Sequence, residues 1–388
     1  MNFEIQLKTP MWTAGVDPIT DRLHETSLIG SMRWWYEALI RGQGDYACDP
    51  TGDRRCPEED GKKCSVCELF GCTGEARKFR LLITESTRKL MTEKNVLIPS
   101  GRIHYPRRQN KKIRVGGWFL SADSIIGDAK LTFLPVGNVD FNYLCIILTL
   151  IESYGAIGGK VSNGYGVIKF GDGGNEIHQK AKQALSKMQP NPTSRDNELP
   201  DIRDFFFANL EFDEPTNPNW WQGVSGIREV YNGKVSDGKT IQNIQGKKGI
   251  DQVISAGILP IAPAIRNYLR FTWYPSLKLG LEDYEIFGTT KRNDNRASRI
   301  NISYAYRDGG KWNFRIWGVI PCNMNGHKFN RDYFGHRLHK ELSASSLLWS
   351  TIFPHAIRPK LTQWHWLDCD QMDANLYLMK LFNRGGTK

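Results

Sequence analysis

Apolar and polar residues alternate at the start of the chain, and apolar residues then recur at helical spacing. In residues 2–8 the apolar positions Phe3, Ile5 and Leu7 share one side, which predicts a half-buried strand. A helix is predicted from about Leu28 to Arg41, with Thr26 or Ser27 as its cap. Its apolar face comprises Leu28, Met32, Trp35, Tyr36 and Leu39. Its other faces predict an exposed arginine and tryptophan surface with Arg33, Trp34, Glu37 and Arg41.

The second half of the chain repeats this order. Residues 206–212 alternate as a strand, and an apolar stretch follows at 258–277. Residues 285–289, Glu-Ile-Phe-Gly-Thr, then echo residues 68–72, Glu-Leu-Phe-Gly-Cys. We interpret this as two diverged copies of one strand–helix–strand unit; chance matching of short motifs is the alternative.

The spacing of the copies predicts where they divide. Arg33 and Phe70 are 37 positions apart, whereas Arg270 and Phe287 are 17 apart, which marks a cysteine-rich insert at 45–72 in the first copy only. Three prolines in 189–200 predict a linker, so the domains are expected at 1–188 and 201–388. Each is expected to be an α+β unit with helices on one face of an antiparallel sheet, its open face and loops free to hold RNA.

The composition is that of a folded protein. Hydrophobic residues make up 40% and charged residues 24% of the 388 residues. The longest apolar run, Tyr143 to Ile151, is about half of the ~20 residues that span a bilayer, and the first residues lack the apolar core of a signal peptide. We therefore expect a cytoplasmic protein without a membrane partner.

Positive charge is concentrated in one segment. The chain has 52 lysines and arginines against 41 acids, a net charge of +11. Residues 77–114 hold twelve of the basic residues and only two acids, which favours a nucleic-acid partner. A solvated basic loop, or a scaffold that contacts acidic proteins, is the alternative. The candidate RNA contacts from charge are Arg102, Arg107, Arg108, Lys111, Lys112 and Arg114.

Five of the eight cysteines lie within residues 48–72. Cys64 and Cys67 form a CxxC pair, whose spacing lets two thiolates reach one zinc ion. Cys48 and Cys56 precede them in a segment with few apolar residues, where a structural zinc would supply folding energy. Incidental reduced cysteines are the alternative. The other three, Cys145, Cys322 and Cys369, are expected to be buried free thiols.

Residues 155–166 form a glycine-rich loop between a predicted helix, 142–154, and a predicted strand, 165–170. Val161 follows Lys160, so the hydroxyl that a Walker A loop needs for magnesium is missing, and the GxGxxG spacing is also absent. The glycines permit backbone amides to approach phosphates, with Lys160 adding charge. A tight turn is the alternative. No nucleotide cofactor is predicted.

Candidate catalytic residues are few. His24 lies in the loop before the first helix, where a general acid or base can act, but a lone histidine is more often structural or stacks on a base. GxSxG, HExxH and DxD patterns are absent from the sequence. The sequence thus favours binding over catalysis.

Three segments in order resemble the RAMP superfamily of CRISPR proteins: residues 27–39 with Arg-Trp-Trp-Tyr, residues 64–71 with CxxC and Leu-Phe-Gly, and the loop 155–166. The arginine–tryptophan helix joined to a cysteine insert resembles the first-subunit family of the Cmr (type III-B) effector complex. This resemblance implies two tandem ferredoxin-like (RRM-like) domains. It also implies a non-catalytic, RNA-binding subunit that caps a ribonucleoprotein filament near the 3′ end of the guide RNA and its target.

The resemblance also implies partners and site residues. The partners are CRISPR guide RNA, complementary target RNA and other Cmr subunits. The RNA-binding positions that it carries over are Arg22, His24, Ser27, Arg33, Lys160, Ser162 and Asn163. Other members of the superfamily are guide-processing ribonucleases, so the alternative function is a metal-independent endoribonuclease that uses His24.

Overall fold

Helices and strands alternate throughout a computed structural model of the chain. The structure describes residues 1–17, 19–52, 55–58, 60–91, 95–104, 114–188, 199–232, 247–291, 294–324, 329–343, 347–354, 357–369 and 373–383. The strands are β1 (Asn2–Met11), β2 (Phe79–Lys89), β3 (Val96–His104), β4 (Arg114–Leu120), β5 (Ile125–Pro135), β6 (Ile168–Phe170), β7 (Phe205–Asp213), β8 (Ile258–Leu259), β9 (Thr289–Lys291), β10 (Asp294–Arg296), β11 (Ile300–Ile302), β12 (Ala305–Asp308), β13 (Lys311–Val319) and β14 (Lys360–His365). The α-helices are α1 (Glu25–Gly42), α2 (Ser65–Phe70), α3 (Asn142–Tyr154), α4 (Gly174–Leu185), α5 (Ile227–Asn232), α6 (Lys247–Ser255), α7 (Ala262–Tyr268), α8 (Tyr274–Ser276), α9 (Asp283–Phe287), α10 (Arg331–Leu342), α11 (Leu347–Ile352) and α12 (Ala374–Asn383).

The first sheet is antiparallel, with strand order β2-β5-β1-β6. The predicted first strand is confirmed and extends to Met11. Phe3, Ile5 and Leu7 are buried on the side of the sheet that α1 and α3 cover. Helix α3 has the predicted bounds, while β6 begins at Ile168, three residues after the predicted strand.

Helix α1 begins earlier than predicted. His24 is its N-cap residue, and the His24 side chain makes no capping hydrogen bond. The prediction of Thr26 or Ser27 as the cap is therefore wrong. The Ser27 hydroxyl instead exchanges hydrogen bonds with the backbone of Ala14, a partner 13 residues away that helical periodicity does not indicate.

The polar side of α1 is also less exposed than predicted. Its apolar face is buried as expected, but Glu37 and Arg41 are buried too, and only Trp34 is exposed. Arg41 donates hydrogen bonds to the carbonyls of Ala47 and Cys48, so the chain after α1 folds back over this side. The predicted exposed arginine and tryptophan surface is therefore wrong except at Trp34.

The second sheet has strand order β14-β7-β13-β12-β8, and β11 pairs with β13. Strands β7 and β13 pair along their whole length, with Phe206 opposite Gly318. One face of this sheet is not free. Phe207 and Trp317 are buried in the core of the first half, and Phe207 contacts Tyr154 edge-on. The expectation of a second open sheet face is wrong there, because the first half packs on it.

Two elements pack on the half to which they do not belong in sequence. The β3–β4 hairpin contributes Val96, Ile98 and Leu120 to the core of the second half. Helix α12 returns to the first half, where the Tyr154 hydroxyl donates to the carbonyl of Leu381. The halves are therefore interlocked by elements from both ends.

The same local contact occurs once within each half. The Arg33 guanidinium donates to the carbonyl of Gly71 at 2.8 Å, and the Arg270 guanidinium donates to the carbonyl of Gly288 at 3.0 Å. Each glycine directly follows a short helix, α2 or α9. The echo between residues 68–72 and 285–289 thus corresponds to the same interaction in both halves.

Two further observations bear on the sequence predictions. Cys322 and Cys369 form a disulfide, so the prediction that both are buried free thiols is wrong; Cys145 is free and buried as predicted. Among the described residues, the helices are all too short or too polar to cross a bilayer.

Candidate functional site

The glycine-rich loop connects α3 to β6 and leans on both halves. Gly155 lies against Trp35 so closely that an added Cβ would be 2.3 Å from its ring. Residues Val161–Asn163 form a single 3-10 turn. The Gly164 carbonyl accepts a hydrogen bond from the Tyr304 backbone N–H at 3.0 Å, which ties the loop to the second half. The loop is therefore held in place at both ends.

Lys160 stands at the tip of this loop. Its backbone is left-handed, with φ of 56°, and its ammonium lies 4.4 Å from the centroid of the Trp12 ring. In the described part of the chain, no carboxylate lies within ion-pair distance of this ammonium. Burial lowers the pKa of the Lys160 amine, and the charge of Asp123 offsets this only in part. The loop thus presents a half-buried cation without an ion-pair partner.

Lys160 and Ser162 line a cleft of about 680 Å³ between the two halves. Trp34 also lines the cleft, and its ring contacts Trp35 edge-on. The second half contributes Arg299 to the lining, together with Arg296 and Asn301. Sequence reasoning did not assign these three second-half residues to a site, although the basic run 291–299 was the available indication.

The charges in the cleft do not balance. Glu285 is the carboxylate in its lining, and it pairs with the Arg296 guanidinium. Arg299 donates from Nε to the Glu285 backbone carbonyl at 3.2 Å. Burial lowers the pKa of the Arg299 guanidinium, against the attraction of Glu285 and Asp204. Lys160 and Arg299 therefore form no ion pair among the described residues, and the cleft favours an anion.

Three predicted RNA-binding residues lie around the start of α1: Arg22 in the preceding loop, His24 at the N-cap and Ser27 in the first turn. Arg22 pairs with Glu25 at 2.9 Å, and its side chain is 48% exposed. His24 Nε2 lies 2.6 Å from the Asp21 carboxylate, and Ser27 holds the backbone of Ala14. These residues do not line the cleft. They connect to it through residues 12–14, since Trp12 contacts Lys160 and the Thr13 hydroxyl accepts from the His24 backbone N–H, and through Ser31 of the lining, whose hydroxyl donates to the Ser27 carbonyl.

Arg33 lies apart from the other predicted RNA contacts. Its guanidinium donates to Glu37 at 2.9 Å, to the Gly71 carbonyl and to Cys67 Sγ at 3.1 Å. All three guanidinium nitrogens thus donate within the protein, and the side chain is only 19% exposed. The structure places Arg33 as a support between α1 and the cysteine segment.

The remaining predicted contacts fall in three places. Asn163 is half-buried beside Ser162 and does not line the cleft. Arg102 and Arg114 lie in β3 and β4, the two strands of the hairpin. The other four, Arg107, Arg108, Lys111 and Lys112, lie outside the described residues.

The outward face of the first sheet lacks the features of a base-stacking platform, and its Lys8 and Lys169 pair with Asp308 of the second half. Its outward positions place Glu4 opposite Lys130 and Gln6 opposite Asp128, so charges of both signs are interspersed. The outward residues of β1, β2, β5 and β6 include no aromatic side chain within their described lengths. RNA-recognition sheets stack bases on such aromatics. The cleft, which has both cations and Trp34, is therefore the better candidate surface.

The four cysteines named from spacing come together in space. Cys48, Cys56, Cys64 and Cys67 are all buried, and their sulfurs lie within 4.8 Å of one another. Cys48 Sγ and Cys67 Sγ are 3.5 Å apart, and sulfurs around a tetrahedral zinc are roughly 3.8 Å apart. Four buried thiols at this separation match the donor set of a structural zinc site, so these residues could hold a metal ion.

The pKa values of the clustered thiols shift in opposite directions. Burial raises the pKa of the Cys48 and Cys67 thiols. Burial also acts to raise the pKa of Cys64, but hydrogen bonds from backbone N–H groups and neighbouring thiols outweigh it and lower the pKa. Arg33 supplies a positive charge at Cys67 Sγ, as a partner outside the ligand set.

Comparison with protein families gives the class of this chain's N-terminal region. Residues 4–169 match the model of the RAMP superfamily. The resemblance inferred from the sequence motifs is therefore confirmed for this region, which includes α1, the cysteine cluster and the glycine-rich loop. A comparison with curated protein sequences gave no match.

Among solved structures, the chain is similar to Cmr1 from Pyrococcus furiosus in its apo form. That comparison has 15% identity and a TM-score of 0.39, and covers 86% of this chain and 94% of the other. A chain of the type III-B Cmr-beta complex bound to cognate target RNA and AMPPnP is 12% identical, with a TM-score of 0.39 and coverage of 88% and 98%. A chain of Cmr-beta bound to cognate target RNA is 11% identical, with a TM-score of 0.34 and coverage of 98% of both chains.

Proposed function

We propose that this protein is a non-catalytic RNA-binding component of a type III-B CRISPR effector complex. The observation that carries the proposal is the position of Lys160: it stands at the tip of the glycine-rich loop, inside the region that matches the RAMP superfamily, without an ion-pair partner among the described residues. A half-buried cation without a counter-charge is costly unless an anion binds to it. The phosphates of an RNA strand supply that anion.

The architecture proposed for this role is two tandem ferredoxin-like units, at 1–188 and 201–388 with a linker at 189–200. In the first unit the elements run β1-α1-β2-β5-α3-β6, and the order β2-β5-β1-β6 is that of a split βαβ sheet. The order β14-β7-β13-β12 in the second sheet supports the same assignment. The cysteine-rich segment 45–72 lies between α1 and β2 and is proposed as an insertion.

The proposed partners are guide RNA, its complementary target RNA and other Cmr subunits, with this chain as the cap near the 3′ end of the guide. The combination of the Arg-Trp-Trp-Tyr helix with the cysteine cluster supports the Cmr assignment. The candidate RNA contacts are the cleft residues Lys160 and Ser162, the residues Arg22 and His24 before α1, and the basic segment 102–114.

The ion proposed for the cysteine cluster is zinc. Four thiolates without a carboxylate or imidazole ligand favour zinc over magnesium or calcium. When bound, zinc supplies folding energy to residues 45–77. Helix α2 alone spans six residues, too few to be stable in isolation.

Purified protein is expected to bind single-stranded RNA with strong salt dependence and to leave it intact. End-labelled RNA would be titrated without added metal at 50 and 200 mM salt, and the same samples would be run on a denaturing gel. If about four phosphates are contacted, affinity falls roughly 50-fold between the two salt concentrations. Absence of binding would instead favour a protein-only scaffold.

The basic segment 102–114 can be tested with a charge-matched pair of variants. R107E/R108E is expected to lower RNA affinity at least about tenfold and to flatten the salt dependence. The control K182E/K187E changes the charge equally at exposed positions in and just after α4. Equal losses in both variants would show that net charge, and no particular contact surface, governs binding.

The second candidate function, an endoribonuclease, is favoured by one observation: His24 Nε2 lies 2.6 Å from Asp21 Oδ1, the arrangement of a base and its orienting group. We expect RNA to remain intact with both wild-type protein and H24A, with affinity lowered no more than about fivefold by loss of the ring. Metal-independent products that H24A abolishes, and D21N reduces, would instead establish the nuclease.

A further inference from the structure

The cleft between the halves has the charge of an anion site. Two cations of its lining form no ion pair within the described residues: Lys160 in the glycine-rich loop and Arg299, which directly precedes β11. The Glu285 carboxylate pairs with Arg296 and attracts Arg299 only at longer range. Among the described residues, the Arg299 side chain makes one hydrogen bond, through Nε, and its two terminal nitrogens have no acceptor.

The backbone of the glycine-rich loop adds hydrogen-bond donors beside the Lys160 side chain. The 3-10 turn Val161–Asn163 follows the left-handed Lys160, a combination that turns successive N–H groups toward one concavity. Among the described residues, the N–H groups of Lys160, Val161 and Ser162 have no hydrogen-bond acceptor. Backbone amides beside a lysine are an arrangement that binds phosphate in other proteins.

The cleft also has an aromatic surface and neutral polar groups. Trp34 is 38% exposed, whereas Trp35, whose ring it contacts edge-on, is buried. Ser162 and Asn301 provide a hydroxyl and an amide that can both donate and accept. A volume of about 680 Å³ lies in the range of small-ligand pockets and is too small for a duplex.

We propose that this cleft holds a single unpaired nucleotide of the bound RNA, with its phosphate at Lys160 and Arg299 and its base against Trp34. The inference rests on the proposed RNA-binding function and adds a specific subsite to it. The two cations belong to different halves, so binding at this subsite requires both halves. Ser162 and Asn301 are placed to contact the edge of the base or the ribose.

The test uses the full chain and a neutralised cleft. The double variant K160N/R299Q removes both charges, and asparagine suits the left-handed backbone at position 160. It is expected to weaken single-stranded RNA binding about 10- to 100-fold. W34L is expected to weaken it about 5- to 100-fold through loss of stacking. The control K182Q/K187Q carries the same charge change outside the cleft and is expected to lose less than threefold. Thermal unfolding of each variant checks that it is folded.

A crosslink locates the nucleotide directly. RNA carrying 5-iodouridine at one position at a time is irradiated with the protein, and the peptide that contains Trp34 is expected to be labelled from one position only. That label is expected to disappear in K160N/R299Q. Wild-type RNA binding with unchanged affinity in K160N/R299Q and W34L would overturn the subsite while the proposed function stands. Absence of wild-type RNA binding would overturn the proposed function itself.

A separate arm distinguishes a strand-borne nucleotide from a free one. Uridine and adenosine monophosphates are titrated alone, with Trp fluorescence as the readout. The proposal expects weak binding, at least 100-fold weaker than that of the RNA strand. Tight monophosphate binding that K160N/R299Q abolishes, without any effect of this variant on RNA affinity, would show a free-nucleotide site and overturn the inference.

Discussion

Removal of the zinc proposed for Cys48, Cys56, Cys64 and Cys67 is expected to lower the melting temperature by roughly 10 °C, because a structural zinc would contribute folding energy directly. The four sulfurs lie within 4.8 Å of one another in a buried cluster, and four thiolates brought this close without a cation would repel one another. The effect extends to α1, since Arg33 donates to Cys67 Sγ and to the Gly71 carbonyl just after α2.

The measurement combines zinc content with thermal unfolding. Protein purified under reducing conditions is expected to contain one zinc per chain by elemental analysis, and C64S is expected to contain almost none. The matched control is C72S, since Cys72 is a free cysteine eight positions away that lies outside the cluster. Wild-type protein without zinc, and with a melting temperature insensitive to chelator, would contradict the assignment.

Substitution of Gly164 by alanine is expected to cost about 3–4 kcal/mol of unfolding free energy and to weaken RNA binding. Gly164 has φ of +102°, and an added Cβ would lie 2.6 Å from the Tyr304 ring and 3.0 Å from its backbone nitrogen. Tyr304 is fully buried, so it cannot move away. The alanine therefore strains the backbone and separates the loop from the second half, which displaces Lys160 from the cleft.

G137A provides the control for backbone strain alone. Gly137 has φ of +83°, but nothing lies within 4 Å of its added Cβ, so alanine there is expected to cost only about 1 kcal/mol. Urea unfolding and RNA titration of both variants separate the two contributions. Equal destabilisation in G164A and G137A would mean that the contact with Tyr304 does not hold the loop in place.

Sequence reasoning was most accurate where one element's own periodicity carries the information. Residues 142–154 were predicted as a helix and form α3 with the same bounds, because the apolar run Tyr143 to Ile151 forms the body of the helix and Gly155 ends it. The four cysteines were named from a CxxC pair and two nearby residues, and the structure brings all four together. Their spacing along the chain is short, so few loop conformations separate them in space.

Sequence reasoning was least accurate where the residues around a side chain come from a distant segment of the chain. Arg33 lies on the polar side of α1, and periodicity predicts that it is exposed. Its guanidinium instead contacts Cys67 and Gly71, more than 30 residues along the chain. The prediction of an open face on the second sheet was wrong for the same reason, because the first half covers Phe207 and Trp317.

The sequence by itself determined strand β1 and helices α1 and α3, the group of four cysteines, the resemblance to the RAMP superfamily and the concentration of positive charge. These depend on neighbours along the chain, through periodicity, spacing and composition. Only the tertiary structure brought Lys160, Arg299 and Trp34 into one cleft. Those residues are up to 265 positions apart, and contacts of that kind follow from how the two halves pack, which no local pattern encodes.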